Sequence, residues 1–229
     1  LMSVMAMSMS VCKRSEMPSM VNIGVLAGGD SSLLPKDQEL YVGVDGGCLK
    51  LLEQGLPLDM AVGDFDSISE TDLSKIRTQA KQVVQSVPEK NDTDLELALK
   101  AVFKDYPDAA VTVYGAFGGR LDHFLSNIFL PTDPDLAPYM EQIQLVDGQN
   151  RLIYRPVGCH DIQPDPTKPY VGFMPVGQGR VEITGAKYPL HPENYFLKAM
   201  YGSNEFLDQP IQVSLDRGYL VIVYSKDRG

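Results

Sequence analysis

The sequence predicts an α/β protein: a doubly wound, mostly parallel sheet domain over residues 20–148, followed by a smaller antiparallel β-sandwich domain over 149–229. Three observations carry this. Short apolar runs closed by glycine recur through the first part, amphipathic helical stripes lie between them, and after Gln149 strand-like segments follow one another among prolines. Alternating strand and helix favours a parallel sheet covered on both faces, whereas strand after strand favours antiparallel pairing.

The apolar runs are residues 21–27, closed by Gly28-Gly29; 40–44, closed by Asp45-Gly46-Gly47; 60–62, closed by Gly63-Asp64; and 109–114, closed by Gly115. Runs of this length bounded by glycine read as buried strands. Leu95, Ala98, Leu99, Val102 and Phe103 follow helical spacing, with Thr93 and Glu96 placed as a capping box in front of them. Leu121, Phe124, Leu125, Ile128 and Phe129 repeat the spacing, and Pro131 ends that helix. In the second part, 171–176, 180–184, 211–215 and 219–224 are strand-like, and Asp216-Arg217-Gly218 is expected to join the last two as a hairpin. Residues 1–19 crowd methionine and serine without periodicity and are expected to form a disordered extension. Lys13 and Arg14 follow its apolar part, whereas a signal peptide places its charges first.

The bulk numbers exclude several partner classes. A formal net charge of −10 with no Lys/Arg run opposes nucleic acid and anionic lipid. Cys12, Cys48 and Cys159 are scattered and odd in number, which fits a reducing cytoplasm better than a disulfide framework. No apolar stretch reaches the ~18 residues that span a bilayer.

In open α/β sheets ligands bind outside the carboxyl ends of the strands, and the acidic clusters sit there. Asp45 follows the second run, Asp64 and Asp66 the third; Asp92 and Asp94 open one helix, and Arg120, Asp122 and His123 another. Asp64 and Asp66, two apart on an extended segment, would project to one side. Carboxylates without thiolate companions are hard oxygen donors suited to Mg²⁺ and a polyphosphate. Arg120 and His123 beside Gly118-Gly119 at a helix start read as a phosphate seat. P-loop, dinucleotide, nucleophile-elbow and H-E-x-x-H signatures are absent, and His160 and His191 read as structural or surface residues.

In order and spacing, Asp45-Gly46-Gly47, GDFDS at 63–67, NDTD at 91–94 and GGRLDH at 118–123 resemble the thiamine pyrophosphokinase family. Gly185-Ala186-Lys187-Tyr188-Pro189-Leu190 and Gly202-Ser203-Asn204-Glu205-Phe206 continue the likeness, which runs from about residue 21 to 225. The resemblance implies transfer of diphosphate from ATP to the hydroxyl of thiamine, giving AMP, by a cytoplasmic homodimer with sites between subunits. It implies Mg²⁺ held by Asp64, Asp66 and Asp94, and ATP lined by Asp45, Lys90, Thr93, Arg120, Asp122 and His123. Tyr188, Ser203 and Asn204 would form the thiamine side, Tyr188 standing where some relatives carry tryptophan. The alternatives are a D-x-D nucleotide-dependent transferase, such as a glycosyltransferase, and a non-catalytic nucleotide or thiamine sensor.

Overall fold

The computed structural model describes residues 20–86 and 91–228; the expected extension and Lys90 lie outside them. The first half contains strands β1 (Asn22–Leu26), β2 (Leu40–Val44), β3 (Met60–Gly63), β4 (Gln82–Gln85), β5 (Ala110–Tyr114) and β6 (Ile143–Val146). Helices α1 (Gly46–Glu53), α2 (Glu70–Gln79), α3 (Asp94–Asp105) and α4 (Leu121–Ile128) lie between them. The second half contains β7 (Asn150–Ile162), β8 (Tyr170–Val176), β9 (Val181–Thr184), β10 (Tyr201–Glu205) and β11 (Ile211–Ser225).

All belong to one sheet in the order β10-β8-β11-β7-β6-β5-β1-β2-β3-β4, with β9 on β11. From β4 to β6 every pairing is parallel, and from β6 onward every pairing is antiparallel. The expected change of architecture thus occurs within a continuous ladder. β1 has β2 on one side and β5 on the other, so the strand order reverses between β1 and β5. That is a topological switch point, the place where such sheets open a crevice for ligands.

The α3 stripe is buried as its spacing predicts, and its capping box forms: Thr93 N–H donates to Glu96 Oε2 at 2.7 Å, and Glu96 N–H to Thr93 Oγ1 at 3.2 Å. β4 escapes the sequence reading because QVVQ is an edge strand with mostly exposed side chains and lacks an apolar run.

The hairpin expected at Asp216-Arg217-Gly218 does not form. Residues 211–225 are one strand, and both flanks pair with the same partner: Leu215 with Gly158 and Tyr219 with Pro156. Three residues of β11 oppose one of β7 there, a bulge that takes the positive φ of Gly218 where a turn would have used it. Pro156, within β7, sits at that irregularity, where a missing backbone donor is tolerated.

β7 and β11 serve two cores by alternation. Leu152, Tyr154, Tyr219 and Val221 pack with α3 and the parallel strands. Ile153, Leu220, Ile222 and Tyr224 face the other way, onto Phe173, Ile183 and Leu190. A period of two places neighbours on opposite faces, so the same two strands belong to both layers.

Helix α1 lies so close to β1 that a Cβ on Gly47 would overlap the carbonyl oxygen of Leu26. Gly47→Ala is therefore expected to destabilise the fold by about 2 kcal/mol, the usual scale of overpacking. Denaturant melting checks this; an unchanged midpoint would show that α1 has room to lift away.

Candidate active site

A cleft of about 400 Å³ opens at the switch point, lined among others by Gly28, Asp45, Asp64, Thr93, Asp94 and His123. They come from the exits of β1, β2 and β3 and the starts of α3 and α4, so the sheet edge brings together residues far apart in sequence. Asp45 sits between β2 and α1 at φ 46, with its N–H donating to Val62 O at 2.9 Å. Its carboxylate lies against the backbone of Gly63, where any Cβ would overlap Oδ1. Ser86 Oγ donates to Asp94 Oδ1 at 2.8 Å, which orients that carboxylate at the head of α3. Thr93 uses its oxygen to cap α3 and keeps its hydroxyl proton to donate.

The D-x-D segment departs from the extended geometry expected of it. Phe65, 3% exposed, turns into the core beneath α1 and α2 and adopts φ 59 to get there. The two carboxylates therefore flank a tight turn, in which Asp66 N–H donates to Asp64 Oδ1 at 3.1 Å. Asp64 lines the cleft, while Asp66 stands exposed outside its lining.

Of the expected phosphate seat, His123 lines the cleft; Arg120 and Asp122 do not. They bind each other at the exposed start of α4, with Nη2 to Oδ2 at 2.6 Å and Nε to Oδ1 at 3.2 Å. The Arg120 hydrogen bond, outweighing slight desolvation and helped by the His123 N–H, pulls Asp122 down to about 2, so it stays ionised at neutral pH.

Three supporting residues were not read from the sequence. Lys50, on α1, donates to Gly28 O at 2.7 Å and to Gly29 O, pinning the β1 exit loop. Asn127, also in the lining, donates to Ala116 O at 2.9 Å and accepts at its carbonyl from Tyr154 at 3.0 Å. Lys100 bridges Asp92 at 2.9 Å to Asp133 at 2.7 Å. Partial burial opposes the Lys100 charge, but the two carboxylates outweigh it and raise its pKa. These ties join residues remote in sequence, which no local pattern reveals.

Among the described residues no three carboxylates, histidines or cysteines are gathered closely enough to cage a metal. The donor set nevertheless suits Mg²⁺, which takes one or two protein carboxylates and completes its shell with water and phosphate oxygens.

A second pocket, about 350 Å³, lies in the β half and is lined by Tyr188, Leu190, Phe196, Met200, Tyr201 and Ser203, among others. It is apolar and partly open, with Tyr188 58% and Phe196 50% exposed. Ser203 adopts φ 58 on β10. Among the described residues Asp45, Phe65 and Ser203 are the non-glycine positions with positive φ, and strain of this kind collects at binding sites. Asn204 is only 3% exposed and its amide is committed internally: Oδ1 accepts from Tyr188 N–H and Glu205 N–H, each at 3.0 Å, and Nδ2 donates to Tyr188 O at 2.8 Å. It fixes the backbone that presents the Tyr188 ring. Phe196 and Met200 escaped the sequence reading because residues 195–200 follow neither helical nor strand spacing.

The cleft and the pocket share no residue. β10 and β1 are six strand spacings apart in the sheet order, about 29 Å along the sheet at the usual interstrand distance.

Comparison with known proteins gives this arrangement its family. Residues 32–142 match the profile described as "Thiamin pyrophosphokinase, catalytic domain", and residues 159–220 match "Thiamin pyrophosphokinase, vitamin B1 binding domain". The thiamine pyrophosphokinase of Bacillus subtilis is 35% identical over 217 residues, covering 91% of this chain and all of that one. The chain belongs to the thiamine pyrophosphokinase family. The fold agrees: a crystal structure of a thiamin pyrophosphokinase family protein from Enterococcus faecalis superposes with a TM-score of 0.82 at 36% identity, covering 90% of this chain and all of that one. That of the Bacillus subtilis enzyme gives 0.74 at 34%, with the same coverage. The two family profiles divide between the carboxylate cleft and the aromatic pocket. Membership decides against the glycosyltransferase reading of the paired carboxylates.

Proposed function

We propose that this thiamine pyrophosphokinase family member transfers the terminal diphosphate of ATP to the hydroxyl of thiamine, releasing AMP and thiamine diphosphate. The observation that carries this is the pairing of two built sites of complementary chemistry: a carboxylate cleft at a topological switch point, and an aromatic pocket in the β half. Residues 20–148 form the nucleotide half and 149–229 the thiamine half of a cytoplasmic enzyme. Among the described residues no helix is long and apolar enough to cross a membrane.

Asp64 and Asp94 would hold Mg²⁺ from the cleft wall, with Asp66 joining them from the adjoining turn, and the ion would supply neutralisation of phosphate charge. Asp45 and Thr93 line the nucleotide's path, and Thr93 donates its hydroxyl proton to a phosphate oxygen. His123 and Arg120, with Lys90, oppose the remaining phosphate charge; Asp122 steers Arg120. On the thiamine side Tyr188 stacks on the flat pyrimidine and Ser203 hydrogen-bonds it, with Asn204 keeping Tyr188 in place. The cleft and the pocket lie far apart along the sheet of one chain, which supports a homodimer in which the cleft of one subunit meets the pocket of the other.

The direct test is AMP release from ATP with Mg²⁺ and thiamine; no thiamine-dependent AMP would end the assignment. Tyr188→Ala and Ser203→Ala are expected to raise KM for thiamine about tenfold or more while KM for ATP stays within about twofold, since stacking contacts are worth ~1–3 kcal/mol. Initial rates with each substrate varied in turn check this. Equal rises in both constants would instead indicate general loss of structure.

A further inference from the structure

The cleft takes Asp92, Thr93 and Asp94 from the start of α3, and His123 and Asn127 from α4. The capping box sets Thr93 and Asp94 relative to their own helix. It does not set how the loop in front of that helix stands toward α4, which has no buried residue to hold it. The side chain that bridges the two regions is Lys100.

Lys100 stands nearly two turns into α3. Long helical side chains lean toward the N-terminus, so its stem carries the ammonium back to the loop before the helix. There Nζ meets Asp92 Oδ2 at 2.9 Å and, from a second segment, Asp133 Oδ2 at 2.7 Å. Asp135, at 3.4 Å and 74% exposed, is an outer and weaker partner. Asp133 belongs to the turn that follows α4, and that turn is well anchored. Asp135 N–H donates to Asp133 Oδ1 at 2.8 Å, and Leu136 and Ala137 N–H donate to the Asp133 carbonyl oxygen at 3.1 and 2.9 Å. Leu130 and Leu136, on either side, are buried in the core that α3 also fills. The ammonium thus ties a partly exposed cleft loop to a fixed turn. Without it, Asp92 and Asp133 would be left as like charges facing one gap, and a shielded pair that loses one partner is strongly disfavoured.

We propose that Lys100 is a positioning residue for the nucleotide. Acting through Asp92 and Asp133, it holds residues 91–94 so that Thr93 and Asp94 stand at the distance from His123 and Asn127 that the phosphates and their Mg²⁺ require. Lys100 itself stands outside the cleft lining. This rests on the proposed nucleotide role of the cleft and adds what sets its width.

Lys100→Met keeps the stem and removes the charge, Asp92→Ala removes the cleft-side partner, and the double variant removes the pair without changing net charge. Asp135→Asn, which leaves both close pairs, is the control. Calorimetric affinity for magnesium pyrophosphate should fall about tenfold in all three, and KM for ATP should rise in step, because small misplacements of binding groups cost that much or more. The double variant should lose no more than Lys100→Met alone, since the two residues act as one unit. KM for thiamine should stay within about twofold, and Asp135→Asn should match the unaltered protein. A charge effect at a distance predicts a different pattern: weaker binding in Lys100→Met, stronger in Asp92→Ala, and cancellation in the double variant. That pattern would overturn the proposal. So would a Lys100→Met protein that melts lower yet binds magnesium pyrophosphate unchanged, which would reduce the lysine to a stabilising role. Asp92→Ala alters a partly exposed loop that folding tolerates, and unchanged pyrophosphate affinity in it would overturn the proposal even if the lysine variants do not fold. None of these results touches thiamine-dependent AMP release by the unaltered enzyme, which tests the reaction itself.

Discussion

Asp64→Asn, Asp66→Asn and Asp94→Asn are each expected to lower kcat by about two orders of magnitude or more, roughly 2.7 kcal/mol of transition-state stabilisation. Diphosphate transfer asks little covalent chemistry of the protein, so catalysis rests on positioning and on neutralising charge. Asparagine keeps the volume and one oxygen of each side chain but removes the charge that retains a hard cation. Asp64 and Asp94 line the cleft directly, and Asp66 is tied to Asp64 through a tight turn. The check is AMP release across a magnesium titration, with circular dichroism to show that each variant folds. Near-wild-type rates in all three would remove the metal assignment.

The second large effect concerns where a complete site is assembled. Asp94→Asn damages the cleft and Ser203→Ala the aromatic pocket, so with thiamine held well below KM each chain alone should keep about a tenth of wild-type activity or less. If the two half-sites meet across a dimer interface, a mixed dimer contains one undamaged pairing. Random mixing makes about half the dimers mixed, with one working site of two, so activity should return to about a quarter of wild type. Co-expression with two tags and tandem purification isolates the mixed species, which should then reach about half. Mixed dimers that stay inactive would show that each site is completed within one chain. The spread of cleft and pocket along the sheet favours the first outcome.

Much of this was legible in the sequence, for reasons specific to each element. The α3 stripe was readable because its burial follows the helical period without exception. The cleft carboxylates were readable because glycine-closed runs mark strand ends, and strand ends mark the ligand edge. The D-x-D geometry was misjudged because Phe65 has a core to fill, and burying it bends the segment. The hairpin at 216–218 was misread because a bulge and a turn ask the same positive φ of Gly218, and only the partner strand distinguishes them. The walls of the aromatic pocket were hidden since their residues are placed by tertiary contacts alone.

The position of β11 bears on how the chain is made. Strand β11 is made after β7, β8 and β9, yet it lies inside the sheet, bonded to all three, and it contributes to both cores. Until residues 211–225 have left the ribosome, β7 and β8 lack their shared neighbour and Ile153 and Phe173 lack much of their cover. Such open, apolar edges are what aggregation and chaperones both recognise. The β half therefore closes only once β11 is available, and truncation before residue 211 should leave an insoluble product instead of a weakened enzyme.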